Sequence, residues 1–409
     1  MRRKTRTVLV GGGGITGLTA ALALARAGFR VELFEQAEGF ETVGAGLQVS
    51  PNALAVLDQL DLAHRVKAVA TAPSAIQVMS ASSGRQIVAI PLGTHATERY
   101  GRPYLVVHRA DLQQVLASAC ADNPDIHLHM ESRLDDVATH ANGVTALVRQ
   151  GTAMNEFTGL ALVGADGVRS RLRELHFEAG PPIYSGLTAW RALISAELLA
   201  GKGSGGGNTE STQLWLAPNA HAITYPVRGG RYLNVVVITR APLEAQSASD
   251  SDGAGEVKAA VRNWAPSFTA LLDHKARWTR WPLYKAPRLR RWCDGPVALA
   301  GDAAHAMLPF AAQGAAMGIE DAAVLADCLR RAGDTGEEAG TALAQYEQAR
   351  RTRVARAAQL ARTNRLIYHL PPPMSWARDI GMTVLGGKCL LARQDWLYRW
   401  TPKKLEDPY

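Results

Sequence analysis

Thr7-Val8-Leu9-Val10-Gly11-Gly12-Gly13-Gly14-Ile15-Thr16-Gly17 is the stretch on which the fold turns. Its β-branched apolar run, its glycine cluster and the alanine- and leucine-rich residues 18–26 read as strand, tight turn and helix. Gly12-x-Gly14-x-x-Gly17 has the spacing of a dinucleotide fingerprint. The first glycine permits the turn, the second lets backbone approach a pyrophosphate, and the third lets helix pack closely on strand. The helix start then offers free N–H groups and a positive dipole end to phosphate. Gly28 stops the helix, and Arg30-Val31-Glu32-Leu33-Phe34-Glu35 reads as a second strand closing on an acid. Glu35 follows Gly17 by 18 residues, close to the ~20 expected of a carboxylate on a ribose hydroxyl. Glycine triplets alone also occur in unrelated loops. With strand, helix, second strand and acid in register, a dinucleotide site is the reading.

At 409 residues, 47% hydrophobic and 20% charged, the chain has core enough for two packed domains. Met1-Arg2-Arg3-Lys4 is basic but leads directly toward the first strand, with no apolar export segment. No apolar run reaches the ~20 residues of a membrane span. A cytoplasmic protein with no membrane partner is expected. Cys120, Cys293, Cys328 and Cys389 form no Cys-x-x-Cys pair, which argues against a metal site, a disulfide framework and a redox dithiol. The net charge of +8 is spread along the chain and thickens only at 285–291 and 350–365. The second cluster reads as the solvated face of a helix, so no nucleic-acid partner is expected.

Ser50-Pro51 marks a helix start, Ser50 as N-cap, and Leu54, Leu57 and Leu60 give its buried face. Residues 74–104 read as strands and loops leaving the nucleotide domain. His108-Arg109-Ala110-Asp111-Leu112 opens another helix. Arg109 in its first turn opposes the dipole, which favours a phosphate over a capping role. Strands follow at 126–129, 143–148 and 160–163, the last running into Gly164-Ala165-Asp166-Gly167. Segments 188–194, 213–216, 222–227 and 232–239 are strand-like without intervening amphipathic helices, an inserted antiparallel sheet. Residues 201–212 and 245–256, rich in glycine and serine, read as flexible surface loops. A strand at 297–300 then meets Gly301-Asp302-Ala303-Ala304-His305, a turn at Pro309 and a helix from Gly314 to Arg331. Pro371-Pro372-Pro373 ends a long helix, leaving a tail whose Trp376, Trp396 and Trp400 are expected to pack on the body.

The expected fold is α/β, a Rossmann-like nucleotide domain with an inserted antiparallel β-sheet substrate domain and C-terminal helices. The nucleotide domain takes 1–73, 105–182 and 285–370, and the substrate domain takes 74–104 and 183–284. Residues 371–409 form the tail.

The fingerprint ending in Glu35, the Gly164-Ala165-Asp166-Gly167 turn, and Gly301-Asp302-Ala303-Ala304-His305 with Pro309 and Gln313-Gly314-Ala315 occur in this order. Together they resemble the single-component (class A) FAD-dependent aromatic hydroxylases, the group of salicylate hydroxylase, 3-hydroxybenzoate 6-hydroxylase and 6-hydroxynicotinate 3-monooxygenase. The resemblance covers essentially the whole chain. It implies FAD, with Gly12, Gly14, Thr16 and Gly17 on the pyrophosphate and Glu35 on the adenosine ribose. Gln48 and Arg109 would touch the flavin half or phosphates, Asp302 the ribityl chain, and Gly314 and Ala315 the isoalloxazine. A helix N-terminus at Gly314-Ala315 would independently favour an anionic reduced flavin. By the same resemblance Asp166 helps both FAD and the nicotinamide cofactor. Helix capping is the competing reading for Asp166 and for Asp302. With no second fingerprint, NADH or NADPH is expected as a transient co-substrate.

The resemblance further implies an NAD(P)H-dependent FAD monooxygenase of the EC 1.14.13 type. It would hydroxylate a small aromatic ring, carboxylated or phenolic, with O2 through a flavin C4a-hydroperoxide. A phenol attacks faster as phenolate, so the site needs a base and shelter from water. His221 and Tyr225 are the catalytic candidates: four apart on a strand, they share a face. Their His-x-x-x-Tyr spacing resembles a pair lining the ring site in the hydroxybenzoate and hydroxynicotinate members; the competing reading is a packed strand. His305 reads as a backbone-positioning residue. Arg191 would bind a substrate carboxylate or a nearby acid. The hydroxybenzoate enzymes have a polar side chain at the position of Pro309, the hydroxynicotinate enzymes have histidine at that of Phe310, and both differ at Gln48. A pocket lined by Pro309 and Phe310 is therefore more apolar than theirs. That leaves a pyridine ring, a larger natural product, or a flavoprotein without hydroxylase turnover as alternatives, and the protein as a monomer or homodimer.

Overall fold

Gly11, at the end of strand Thr7–Gly11, stands opposite Phe34 on one side and Gly164 on the other. In this computed structural model, which describes residues 6–40, 46–200, 210–241, 253–274 and 276–404, that strand lies inside a six-stranded sheet. The spatial order is Cys293–Asp294, Val297–Leu299, Ala161–Gly164, Thr7–Gly11, Arg30–Phe34 and Ile126–His129. All pairs are parallel except the edge pair Cys293–Asp294 with Val297–Leu299. Val8, Leu9, Val10, Leu162 and Val163 are buried, as a sheet covered on both faces requires. The chain passes from Thr7–Gly11 to Arg30–Phe34 on one side and later to Ala161–Gly164 on the other. This makes the carboxyl end of the first strand a topological switch point, where such sheets bind ligands.

Helix Ile15–Arg26 follows the glycine turn and ends at Gly28, whose φ of 88° suits glycine. Helix Gly314–Arg330 packs on it. A meander of Ser132–His140, Gly143–Gln150 and Ala153–Gly159 surrounds the one strand expected there. Gly46–Val49 pairs with Leu105–His108 as a two-stranded ribbon.

The second sheet has seven strands, in the order Thr279–Lys285, Ile183–Ser195, Tyr232–Arg240, Ala220–Val227, Thr212–Ala217, Ala75–Ser80 and Gln86–Pro91. It is not wholly antiparallel, because Thr212–Ala217 pairs parallel with Ala75–Ser80. No hairpin joins those two strands, and the long intervening chain leaves their relative direction free. Helix Gly93–Tyr100 interrupts the stretch read as strands and loops, and Ala196–Ala200 is a short helix between strands. Of the expected loops, 201–209 and 245–252 lie outside the described residues. Residues 254–256 belong to helix Ala254–Ala260, whose Val257 packs with Trp190 and Trp215 beneath the sheet.

The long helix Gly336–Tyr368 opens on a capping box of Thr335 and Glu338. Its basic run is a solvated face only in part: Arg351, Arg356 and Arg362 are exposed, but Arg350 and Arg353 turn inward. Arg350 is 1% exposed, with Nε 2.7 Å from Asp321 and Nη1 2.6 Å from Glu320. Arg353 also holds Glu320. Charge density alone does not distinguish a helix face turned to water from one turned onto buried acids. Helix Met374–Ala392 covers the edge strand Gln86–Pro91, with Thr383 Oγ1 donating to the Ile87 carbonyl at 3.1 Å. Trp396 and Trp400 pack on the body against Arg353, but Trp376 is 64% exposed, in line with Ile380 and Val384 on the outer face of that helix. All four cysteines are free, and among the described residues no helix is long and apolar enough to cross a membrane.

Candidate flavin and substrate site

The glycine turn is built on close backbone contacts. Gly12 has φ 107°, and a Cβ there would lie 2.6 Å from the Ala165 carbonyl oxygen. A Cβ on Gly17 would lie 1.8 Å from the Gly12 oxygen. Gly14, by contrast, faces open space and gives helix Ile15–Arg26 no side-chain cap. An uncapped N-terminus therefore opens at the switch point, ready for an anion. Glu35 stands beside it, its Oε2 accepting the Gly13 N–H at 2.7 Å and Oε1 the Ala37 N–H at 2.9 Å. The Thr16 side chain turns inward: a Cβ on Gly301 or Gly318 would come within 2.4 or 2.1 Å of its Oγ1. Only the Thr16 backbone remains to meet a phosphate.

Asp166 lies behind Gly12 and accepts the Arg171 and Leu172 N–H groups at 2.7 and 3.1 Å through Oδ2. Its carboxylate thus caps helix Arg171–His176, together with Ser170, while Oδ1 is buried without a partner. Burial raises its carboxyl above the ordinary value against those hydrogen bonds.

Gly301, with φ 58°, donates its N–H to Asp321 Oδ2 at 2.9 Å. His305 Nε2 sits 2.5 Å from the same oxygen, so this histidine is tied to the framework. Asp302 points the other way. Its carboxylate is exposed yet set deep among protein atoms, as a cleft-lining group is, with Oδ1 3.9 Å from where a Gly314 Cβ would stand. Burial raises its carboxyl, opposed by the charges of His305 and Arg109. Helix Gly314–Arg330 also starts without a side-chain cap. Gln313 instead donates to Ser50 Oγ at 3.1 Å and accepts from Asn52. Ser50 precedes its helix as expected but does not cap it, because its hydroxyl serves Gln313.

Two uncapped helix starts, a glycine cradle and the carboxylates of Glu35 and Asp302 fit the two ends and the pyrophosphate of FAD. Gln48, on the ribbon strand, accepts a hydrogen bond from the Tyr104 hydroxyl. Arg109 begins helix Arg109–Ala121 and acts through its charge on both Asp302 and Arg191. Tyr104 also packs with Tyr225, which ties the ribbon to the second sheet.

Arg191, Val236 and Ile223 align across three strands of that sheet, and His221 and Tyr225 flank Ile223 on the same face. The opposite face carries Trp190, Ala222 and Val237 in a separate core. His221 and Tyr225 are roughly 13 Å apart along the strand at ~3.4 Å per residue, too far to bind one substrate atom together. They stand at the two ends of one packed face, Tyr225 in one apolar cluster and Phe310 beside His221 in another. At one end Tyr225 lies against Gly46, its hydroxyl pushed up by burial, with Arg191 acting the other way. Arg191 Nε has no hydrogen-bond partner, and no carboxylate pairs with the guanidinium among the described residues; its ring contact is Trp281 at 5.0 Å. Burial lowers its pKa, and Arg109 adds to that. At the other end the His221 ring lies 4.8 Å from Phe310 and 5.4 Å from Tyr368. Phe310 is buried and Pro309 exposed in the short turn before the Gly314 helix. A surface groove of about 810 Å3 between helix Met374–Ala392 and the 80–87 turn contains none of these residues.

Comparison with known proteins accords with this geometry. Residues 5–361 match the family described as the FAD binding domain. The chain is 33% identical to 3-hydroxybenzoate 6-hydroxylase 1 of Aquipseudomonas alcaligenes, covering 88% of this chain and 89% of that protein. It is 35% identical to 3-amino-4-hydroxybenzoate 2-monooxygenase PtmB3 of Streptomyces platensis, covering 92% of each. The chain belongs to the single-component FAD-dependent aromatic hydroxylases. The hydroxylase also superposes on Klebsiella pneumoniae HpxO complexed with FAD and uric acid. The TM-score is 0.81, with 25% identity over 95% of each chain. It is thus an FAD-binding oxidoreductase, a monooxygenase of small aromatic rings.

Sequence reasoning passed over several residues that stand against these candidates. His369 Nε2 lies 2.9 Å from His221 Nδ1, and Tyr368 stands against Phe310. Asn364 holds the Phe310 carbonyl at 2.9 Å, and Asn234 accepts the Gly46 N–H at 3.0 Å. The first three lie near the end of the long helix, more than a hundred residues from His221, and no local motif marks them.

Proposed function

We propose that this hydroxylase uses NADH or NADPH and O2 to hydroxylate a monocyclic ring bearing a carboxylate and a phenolic hydroxyl. The observation that carries the reading is Arg191, a half-buried guanidinium without a carboxylate partner, on the same sheet face as His221 and beside Tyr225. A cation partly removed from water and left unpaired is costly, and a substrate carboxylate would compensate it. The ring then spans toward His221, which stays neutral near pH 7 because burial and His369 hold it well below its ordinary value. A neutral imidazole can accept the phenolic proton, and Tyr225 orients the opposite end. Phe310, Ile223 and Val236 keep water from the reacting face.

The backbone of Gly12, Gly14, Thr16 and Gly17 would hold the FAD pyrophosphate, Glu35 the ribose and Asp302 the ribityl chain. Gln48, Arg109, Gly314 and Ala315 would meet the flavin half, with Asp166 shaping the glycine turn from behind. Bound FAD, reduced by the nicotinamide cofactor, supplies the activation of O2. The apolar Pro309-Phe310 wall favours a second reading, a pyridine ring or a larger natural product.

The test is NADH and NADPH oxidation by the FAD-loaded protein with and without salicylate, 3-hydroxybenzoate and 6-hydroxynicotinate. Stimulation with a hydroxylated product is expected for one of them. Stimulation without product points to a larger substrate, and no stimulation by any of the three overturns the monocyclic reading.

A further inference from the structure

The His221 ring has two nitrogens and only one is engaged within the protein. Nδ1 meets His369 Nε2 at 2.9 Å, and Nε2 has no partner among the described residues yet is not sealed from its surroundings. His369 repeats the arrangement one step outward. Its Nε2 faces His221, its Nδ1 has no partner among the described residues, and the residue is partly exposed whereas His221 is buried. The two rings, with centroids 5.1 Å apart, sit beside Phe310 and Tyr368, the inner one buried and the outer one partly exposed.

A buried base faces a difficulty that this pair resolves. If His221 simply kept the proton of a phenol, an imidazolium would form in an apolar enclosure, which burial opposes. Passing a proton outward on the other nitrogen leaves both rings neutral at the end. We propose that His369 is the outer member of a two-histidine proton path that carries the substrate's hydroxyl proton from His221 to solvent. This rests on the reading that the ring hydroxyl lies at His221.

The substrate O–H bond breaks as an N–H bond forms at His221 Nε2. The N–H at His221 Nδ1 breaks as one forms at His369 Nε2, and the N–H at His369 Nδ1 passes to water. No charge is left on either ring, and both exchange tautomers.

The charged and titratable groups around the outer ring suit release. Arg365, on the same helix, and Arg240, at the end of strand Tyr232–Arg240, act on His369 by charge, and Tyr368 and His221 are its other titratable neighbours. Two cations disfavour a proton resting on His369. Burial, aided by those arginines, brings its pKa down to about 4, so it is neutral and able to accept across the neutral range. It touches the base rather than the substrate and is a relay and positioning residue.

The experiment uses the FAD-loaded protein and 3-hydroxy-4-nitrobenzoate, a ring whose phenolate is coloured. Stopped-flow mixing would follow phenolate appearance in the wild type, His369→Gln and His369→Ala between pH 6 and 9. Glutamine keeps a hydrogen-bonding group but cannot pass a proton between two ring nitrogens. The expected result is phenolate formation at least ~10-fold slower in both variants, a higher apparent pKa of the bound phenol, and recovery of His369→Ala by added imidazole. Flavin content and ligand affinity should stay near wild type. Equal rates and pH dependence in wild type and His369→Gln would overturn the relay. Slower formation with weakened binding and no imidazole rescue would also overturn it, in favour of a packing role. Binding without phenolate in the wild type itself would instead overturn the placement of the hydroxyl at His221, a failure of the underlying reading.

Discussion

Tyr225 lies so close to Gly46 that a Cβ on the glycine would stand 2.3 Å from its Cε2 and 2.8 Å from its hydroxyl oxygen. The contact joins the ribbon to the second sheet at the proposed ring site, and the Gly46 N–H adds a hydrogen bond to Asn234 on the strand beside Tyr225. Gly46→Ala must displace either the tyrosine or the ribbon. A shift of about 1 Å in a positioning group costs on the order of 100-fold in rate. We expect kcat/KM to fall by that order with flavin retained. Unchanged turnover would show that the Tyr225 ring is not held to a working position.

The hydroxyl of Tyr225 is separable from its ring. Tyr225→Phe keeps the packing against Gly46 and removes one buried polar atom, so the fold and its thermal midpoint should be preserved. If the hydroxyl orients or protonates the substrate, kcat falls by ~100-fold or more. A change confined to KM would assign it to binding alone.

Arg191 offers a test that discriminates among substrates. A charge-assisted hydrogen bond is worth ~1.5–3 kcal/mol, or roughly 10- to 100-fold in affinity. Arg191→Gln should raise KM by that factor for a carboxylated ring and leave the matching phenol without a carboxylate almost unaffected. Equal losses on both ligands would mean that the guanidinium supports the pocket through Trp281 and Tyr225 rather than by pairing with substrate.

The cofactor side was legible because its chemistry is local. The turn at Gly12, the close approach at Gly17 and the acid at Glu35 are fixed by short-range backbone geometry, so their spacing in sequence carries their meaning. That His221 and Tyr225 share a face was legible because a strand alternates, but alternation does not report what each end of that face meets. His369 was not legible at all. It reaches the site only because the long helix packs across the second sheet, a tertiary event without a local signal. Arg350 was misread for the same reason. A run of arginines on a helix reads as solvated until the acids buried beneath it, Glu320 and Asp321, are known.

Those acids make the last prediction. Although burial alone would raise the Asp321 carboxyl, His305 and Arg350 bring it down to about 2, below its ordinary 3.8. The folded state therefore favours the charged form. Its contribution to stability is fully present above pH ~4 and is lost as pH falls toward 2. Arg350→Met removes the cation and leaves Asp321 and Glu320 buried with fewer partners, a change that costs ~3–5 kcal/mol. Chemical denaturation near pH 7 should show that loss. The deficit should then shrink as the pH is lowered toward 3, because a protonated carboxyl no longer needs the guanidinium. A deficit independent of pH would assign the loss to packing around the Arg350 side chain rather than to its charge.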